Sequence, residues 1–183
     1  MSIVITALIS NNSIVMCGDK RGTNQTGTKD AYTKIFRITN NAICGITGHL
    51  EWGLKLIEII KGLGFTRAAD VMKIAMSMPP STVTNCTFTY AGVNEDGKLF
   101  ISNFRSEGLS VTDYIDKCDG CLYSTFGWAL QGDKAKICTE AFNKKYLATY
   151  NIGLTMKEAI KIASSISPET ISPVYDTLII KAK

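Results

Sequence analysis

The chain has 183 residues, of which 45% are hydrophobic and 20% charged, and its formal net charge is +4. This composition excludes a disordered chain and fits one globular domain over residues 1–183. The basic residues are scattered among acidic ones, which argues against nucleic acid as a partner. No apolar run approaches the ~18 residues of a membrane span, and no basic segment precedes the first apolar stretch, so we expect a cytoplasmic protein without a membrane partner.

The first fifty residues have the patterns of strands and turns. Strands are predicted over residues 3–9, 13–17, 32–38 and 42–48. The first two flank a short polar turn, which predicts a hairpin. The stretch from Gly22 to Lys29 is polar and rich in glycine, so we expect an irregular loop there.

Helical periodicity begins at Leu50, because apolar residues then recur at spacings of three and four. The apolar residues that recur are Leu50, Leu54, Ile57 and Ile60, and the series can be extended to Leu63. A second helix is predicted over about 66–78, where Pro79 ends it. Apolar pairs such as Trp52 with Ile59 and Met72 with Met76 should then lie on spare helix faces, which predicts contacts between subunits.

Strands return after residue 82. They are predicted over 83–93, 98–104, 109–115, 121–125 and 175–181. Two further helices are predicted over about 130–148 and 155–166, the second with a capping box between Thr155 and Glu158. The order of strands and helix pairs predicts an α+β fold, a four-layer αββα sandwich of two stacked, mainly antiparallel sheets between helical layers.

Six cysteines raise the question of metal or disulfides. Most of them lie inside apolar patterns, where reduced cysteine behaves as a small core residue. Cys118 and Cys121 have motif spacing, but the chain has a single histidine, His49, and a structural zinc site needs four ligands. We therefore expect a turn at Cys118–Cys121 and neither a metal nor a cofactor.

Four positions near the N-terminus occur in the order and spacing of a known family. Ser2 follows the initiator Met1, Asp19 follows the second strand, Lys34 opens a Lys-Ile-Phe-Arg-Ile segment, and Gly48 follows Thr47. In these residues the chain resembles the proteasome β-type subunits and the related peptidase rings of bacterial ATP-dependent proteases, which are N-terminal-nucleophile hydrolases. The order of elements resembles that family over nearly the whole chain.

The resemblance implies a peptidase that acts through an acyl-enzyme on Ser2 after Met1 has been removed. The α-amine, whose ordinary pKa is about 8, would accept the proton of the hydroxyl on the same residue. Lys34 would lower the pKa of this amine by like-charge repulsion, and Asp19 would hold Lys34 in place. The backbone N–H of Gly48 would face the developing oxyanion.

The resemblance also implies a pocket for the side chain before the scissile bond. The implied lining residues are Gly22, Tyr32, Phe36, Ile46, Leu50 and Leu54. Thr23 and Thr47 would offer backbone groups to an extended substrate, and His49 would lie at the rim. This lining is largely apolar, which favours a large hydrophobic side chain over a charged one.

The implied partners are a peptide or protein substrate and further copies of the chain in a homo-oligomeric ring or other high-order assembly. The resemblance also allows an ATPase partner. Each motif also has an ordinary explanation when it is taken singly, since Ser commonly follows Met1 and Gly-Asp commonly forms a turn. The stretch Phe126-Gly127-Trp128 lacks the serine that supports the nucleophile in the family, and Glu169 and Ser172 are only loose stand-ins for its later Asp and Ser. The alternatives are a catalytically weak or inactive structural subunit and an amide hydrolase for small molecules on the same fold.

Overall fold

A computed structural model describes residues 2–9, 13–24, 27–64, 67–78, 86–105, 109–115, 121–126, 130 and 132–181, with the side chains of all but 23–24, 109–115 and 121–126. The strands are β1 (Val4–Ile9), β2 (Ser13–Asp19), β3 (Arg21–Asn24), β4 (Gly27–Asp30), β5 (Ile35–Thr39), β6 (Ala42–Thr47), β7 (Thr87–Val93), β8 (Leu99–Arg105), β9 (Leu109–Ile115), β10 (Cys121–Phe126) and β11 (Tyr175–Lys181). The helices are α1 (Leu50–Leu63), α2 (Ala68–Ser77), α3 (Asp133–Thr149) and α4 (Ile152–Ile166). Strands and helix pairs thus follow one another in the predicted order.

Two antiparallel sheets carry the fold. The first has the strand order β10-β1-β2-β11 and the second has the order β5-β6-β7-β8-β9. The predicted mixture of helices with antiparallel sheets is confirmed. Within the first sheet, β1 and β2 form the predicted hairpin with Val4 opposite Gly18, and β11 places Tyr175 opposite Asp19. The end of β2 therefore lies between the start of β1 and the start of β11.

Apolar clusters lie on both faces of each sheet because alternate strand residues point to opposite sides. In β6, Cys44 and Ile46 pack with α1 and α2, whereas Ile43 packs toward the first sheet. In β1, Ile5 packs with α3 and α4, whereas Val4 packs toward the second sheet. Buried apolar side chains therefore join each helix pair to one sheet and join the two sheets to each other.

The buried face of α1 differs from the prediction. Trp52 and Leu56 are buried, and the Trp52 ring stacks on Phe104 with 5.6 Å between ring centroids. Leu54 and Leu63, which belong to the apolar series that predicted the helix, are 38% and 56% exposed. The helix has apolar residues on more than one face, so periodicity alone allows two rotations about its axis. Burial of the large indole ring favours the observed rotation.

Exposed apolar side chains also differ from those predicted for subunit contacts. Trp52 and Met72 are buried, while Met76 is 59% exposed. Two other exposed residues, Leu147 and Tyr150, lie near the turn between α3 and α4, at 65% and 75% exposure. The spare apolar faces named from the sequence are therefore wrong in part.

The predicted irregular loop from Gly22 to Lys29 is also wrong in part. Strands β3 and β4 pair as an antiparallel ribbon there. All four residues of β4 are exposed, so this strand has no buried face and shows no apolar alternation. At the base of the ribbon, Arg21 Nε lies 2.7 Å from Asp30 Oδ1, and this ion pair joins the first residue of β3 to the last residue of β4.

Helix α4 begins three residues before the predicted start. The side chain of Asn151 accepts a hydrogen bond from the Leu154 N–H at 3.1 Å and caps the helix. Thr155 lies inside the helix, where its hydroxyl donates to the Asn151 carbonyl at 2.7 Å. The predicted capping box is therefore wrong.

Some predictions fall outside the part of the chain that the structure describes. One is the turn at Cys118–Cys121, of which only the Cys121 backbone is described. The other is the stretch that lacks the family's supporting serine, of which Gly127 and Trp128 are not described. Among the described helices, none is both long enough and apolar enough to cross a membrane.

Candidate functional site

Asp19, the last residue of β2, is fully buried. Its Oδ1 accepts a hydrogen bond from the backbone N–H of Ile3 at 2.8 Å. Its Oδ2 accepts from the backbone N–H groups of Arg21 at 2.9 Å and Ser172 at 3.2 Å. The carboxylate thus joins the segment before β1, the start of β3 and the segment before β11.

Lys34 is the ion-pair partner of Asp19. Its Nζ lies 2.7 Å from Asp19 Oδ1 and donates a second hydrogen bond to the Arg21 carbonyl at 2.5 Å. The Lys34 carbonyl accepts from the Ile46 N–H at 2.8 Å, which fixes this residue against β6. Burial lowers the pKa of Lys34, and the attraction of Asp19 opposes this effect only in part. The ammonium is therefore fixed in position but binds its proton less tightly than an exposed lysine.

Ser2 lies beside this pair at the start of the first sheet and is 6% exposed. The next residue, Ile3, is bonded twice to Asp19, because the Asp19 N–H also donates to the Ile3 carbonyl at 3.2 Å. Ser2 and Lys34 both line a cavity of about 820 Å³. The nucleophile candidate and the buried cation therefore face the same space.

Gly48 lines the same cavity at the junction of β6 and α1. Its φ of 88° lies in the left-handed region, which favours glycine. His49 follows as the N-cap, and its Nδ1 accepts a hydrogen bond from the Trp52 N–H at 3.3 Å. The electropositive N-terminus of α1 is thus directed toward the cavity.

Most of the residues expected to line the pocket do so. The cavity lining includes Gly22, Tyr32, Ile46, Leu50 and Leu54. Gly22 is in close contact with the Tyr32 ring, which leaves no room for a Cβ. Phe36 packs instead on the cluster beneath α1 and α2, Thr47 is buried, and the side chain of Thr23 lies outside the described residues.

Sequence reasoning missed a charged wall of the cavity. The lining also contains Glu51, Lys55 and Glu58 on α1. These residues follow one another at spacings of four and three, so they share a helix face with Leu54. That spacing, taken together with Leu54 as an expected pocket residue, could have identified them.

A second polar network, also missed, supports the Asp19 site from outside. Asp30 accepts two hydrogen bonds from the Arg21 guanidinium, at 2.7 and 2.8 Å, and a third from the Ser172 hydroxyl at 2.8 Å. The Arg21 guanidinium lowers the pKa of Asp30. Ser172 therefore connects both carboxylates, since its N–H donates to Asp19. Glu169, the other suggested stand-in, is exposed and accepts from the Ser167 hydroxyl at 2.9 Å.

The described thiols do not offer a competing nucleophile. Cys17, Cys44, Cys86 and Cys138 are free and buried. Burial raises the pKa of Cys17 and of Cys86 to about 12, so both remain protonated near neutral pH. The described residues contain no group of three or more His, Cys, Asp or Glu side chains arranged to hold a metal ion.

Two comparisons, one with protein-family models and one with solved structures, relate this chain to known proteins. The family model for "Proteasome subunit" matches residues 3–62, a stretch that includes Asp19, Lys34 and Gly48. The fold matches the crystal structure of eukaryotic HslV from Trypanosoma brucei with a TM-score of 0.69, over 97% of this chain and 99% of that chain. This confirms the resemblance to the proteasome family.

The two comparisons support different statements about this chain. The family model covers the residues of the candidate site except Ser2, which lies just before the matched stretch. The likeness to HslV, at 15% sequence identity, shows the fold alone. No curated protein matches the chain in sequence.

The buried carboxylate gives a first prediction. Asp19→Asn should destabilise the fold by about 3–5 kcal/mol, because it leaves Lys34 buried without an anionic partner. Asp70→Asn is the matched control, since Asp70 pairs with Arg67, whose side chain is 67% exposed, and should cost less than about 1 kcal/mol. Urea unfolding measures both changes, and equal losses would contradict the structural role of Asp19.

Proposed function

We propose that the protein is an N-terminal-serine peptidase that acts through an acyl-enzyme on Ser2 after removal of Met1. The observation that carries this proposal is the buried Asp19–Lys34 pair in contact with the segment that begins at Ser2. A buried ion pair is weak support for stability, whereas a cation with a perturbed pKa beside a cavity is typical of a functional site.

The α-amine of Ser2 serves as the base in this mechanism. Loss of Met1 converts the peptide nitrogen of Ser2 into an amine, which in its neutral form takes the proton of the hydroxyl. The Lys34 ammonium repels the protonated amine and lowers its pKa, so more of the amine is neutral at pH 7. Asp19 keeps Lys34 at the required position.

Acyl transfer then follows in two steps. The Ser2 oxygen attacks the substrate carbonyl carbon while its proton moves to the amine, and the backbone N–H of Gly48 donates to the resulting oxyanion. Donors of this kind contribute about 3 kcal/mol in other hydrolases. The protonated amine gives the proton to the leaving amine as the peptide bond breaks, and water cleaves the ester with the amine again as base.

The cavity supports a peptide substrate with a large hydrophobic residue before the scissile bond. Ile46, Leu50 and Leu54 provide apolar surface, and Tyr32 adds an aromatic wall. The backbone of Thr47 and of Thr23 would pair with an extended substrate on either side. Burial of a Leu or Phe side chain in such a pocket gains about 1.5–3 kcal/mol.

We also propose the layer order and the assembly. The apolar clusters on both faces of each sheet support a four-layer αββα sandwich. The exposed apolar residues Met76, Leu147 and Tyr150 support a homo-oligomeric ring or another high-order assembly. An ATPase partner, a cytoplasmic location and a single domain over residues 1–183 stay predictions from the sequence.

Peptide hydrolysis tests the proposed activity. Wild-type protein lacking Met1 should cleave fluorogenic peptides ending in Leu, Tyr or Phe, and Ser2→Ala should abolish cleavage. Lys34→Met should lower the rate at least about a hundredfold, as expected for loss of acid–base support. Lys20→Met is the matched control, because Lys20 pairs with Asp176 at the surface, and should keep the wild-type rate.

The outcomes of this assay separate the candidate functions. Cleavage that survives in Ser2→Ala would exclude Ser2 as the nucleophile. If the protein cleaves none of the peptides, although its intact mass shows that Met1 is absent, the alternative of an inactive structural subunit would be favoured. Circular dichroism confirms that the Lys34 variant is folded.

Exchange of one lining residue tests the substrate pocket. Peptides ending in Leu should be cleaved roughly tenfold faster than those ending in Arg, the ratio that follows from about 1.4 kcal/mol of discrimination. Leu54→Asp should shift this preference toward Arg by placing a carboxylate in the lining. Leu63→Asp, on the same helix but outside the lining, should leave the ratio unchanged, and a shift in both variants would refute the assignment of the pocket.

A further inference from the structure

Thr47 has a buried hydroxyl that is unexplained by the fold. The residue is 2% exposed, and its Oγ1 has no hydrogen-bond partner within the described part of the chain. Buried polar groups are almost always paired, because an unpaired one loses its hydration without compensation. Thr47 also directly precedes Gly48, which lines the cavity of the candidate site.

Strand alternation directs the Thr47 side chain toward the first sheet. In β6, Ile43 packs between the sheets and Ile46 packs toward α1 and α2, so Thr47 points to the same side as Ile43. The two sheets are in contact at this place, because a Cβ on Gly45 would lie 2.6 Å from Val4 Cγ1. Thr47 therefore faces β1 across the space between the sheets.

Ser2 lies at the same end of that space. It precedes Val4 by two residues, just before β1. Ile3 packs with Ile5 on the α3 and α4 side, so the strand alternation continued to Ser2 directs that residue to the space between the sheets, as it does Val4. Thr47 follows Gly45 by two residues, and two strand residues span about 7 Å. Ser2 and Gly48 line one cavity, so both strands extend from the Val4–Gly45 contact in the same direction.

We propose that the Thr47 hydroxyl positions the Ser2 α-amine by accepting a hydrogen bond from it once Met1 has been removed. The proposal rests on the proposed function for the removal of Met1. With Met1 present the Ser2 nitrogen belongs to a peptide bond, and its removal adds N–H donors where Thr47 offers an acceptor. The hydrogen bond directs the lone pair of the amine toward the Ser2 hydroxyl.

The proposal predicts a change in proton affinity. A hydroxyl that accepts from the ammonium stabilises the charged form and raises the pKa of the amine. Other titratable groups also act on the amine from the elements around the cavity. These are Asp19, Arg21, Tyr32, Lys34 and His49, with Glu51, Lys55 and Glu58 on α1. Replacement of Thr47 leaves all of them in place.

Thr47→Val tests the hydroxyl because it removes the oxygen and keeps the shape of the side chain. The pKa of the Ser2 amine is measured from the pH dependence of its acetylation by acetic anhydride, read by mass spectrometry of the N-terminal peptide. In Thr47→Val the Ser2 amine should bind its proton roughly three- to tenfold more weakly than in the wild type, which is the effect of losing one hydrogen bond. The acidic limb of the pH profile of peptide hydrolysis should therefore move to lower pH. The maximal rate of hydrolysis should fall, because the amine is less well oriented.

Two variants serve as controls. Thr47→Ser keeps the hydroxyl and should keep the wild-type pKa. Thr89→Val removes another buried hydroxyl without a partner among the described residues, on the neighbouring strand β7, and should leave the pKa unchanged. If Thr47→Val does not fold, Thr47→Ala removes the same oxygen.

The outcomes distinguish this proposal from the function on which it rests. Equal proton affinity in the wild type and in Thr47→Val, with Met1 absent, overturns the role of Thr47 and leaves the peptidase proposal intact. An equal loss of affinity in Thr89→Val also overturns it, because the effect would not be specific to the site. Retention of Met1 in the wild type overturns both.

Discussion

The buried ion pair between Asp19 and Lys34 is the interaction on which the arrangement of the site depends. The Asp19 carboxylate is fully buried, and backbone N–H groups from separate segments donate hydrogen bonds to it in place of water. Those same hydrogen bonds tie the start of β1 and the approach to β11 to the end of β2. Stability and the proposed function thus depend on one carboxylate, since the group that fixes these segments also fixes the cation beside Ser2.

The surrounding network connects this buried carboxylate to a second one, Asp30. Arg21 lies between the two carboxylates, with its N–H on Asp19 and its guanidinium on Asp30. Ser172 makes the equivalent connection with its own N–H and hydroxyl. The ribbon of β3 and β4 is therefore anchored at its base, although β4 is exposed along its length.

Sequence patterns predicted the elements well where one face is buried and the period is unambiguous. The hairpin of β1 and β2 and the start of α1 at Leu50 agree with the prediction because the polar turn and the apolar spacing specify them. The rotation of α1 was not predictable, since choosing Trp52 over Leu54 as the inward residue requires knowledge of Phe104 across the interface. The ribbon of β3 and β4 was missed because strands without a buried face have no apolar signal.

The residues of the candidate site also divide into those that the sequence predicts and those that it does not. Asp19, Lys34 and Gly48 could be named because each belongs to a motif with a fixed place in the chain. In the structure Lys34 and Gly48 line one cavity, and Asp19 pairs with Lys34. Asp30 and the Thr47 hydroxyl have no such signal, because their importance depends on contacts between segments far apart in sequence. Ser172 was named for a different role from the one its hydrogen bonds support.

The central claim is that Ser2 becomes an N-terminal nucleophile beside the Asp19–Lys34 pair. The most direct measurement is mass spectrometry of the intact protein, and then of its peptides, after treatment with a β-lactone probe. We predict a chain without Met1 that carries one probe as an ester on Ser2. A chain that retains Met1, or a probe attached to one of the cysteines instead, would contradict the claim.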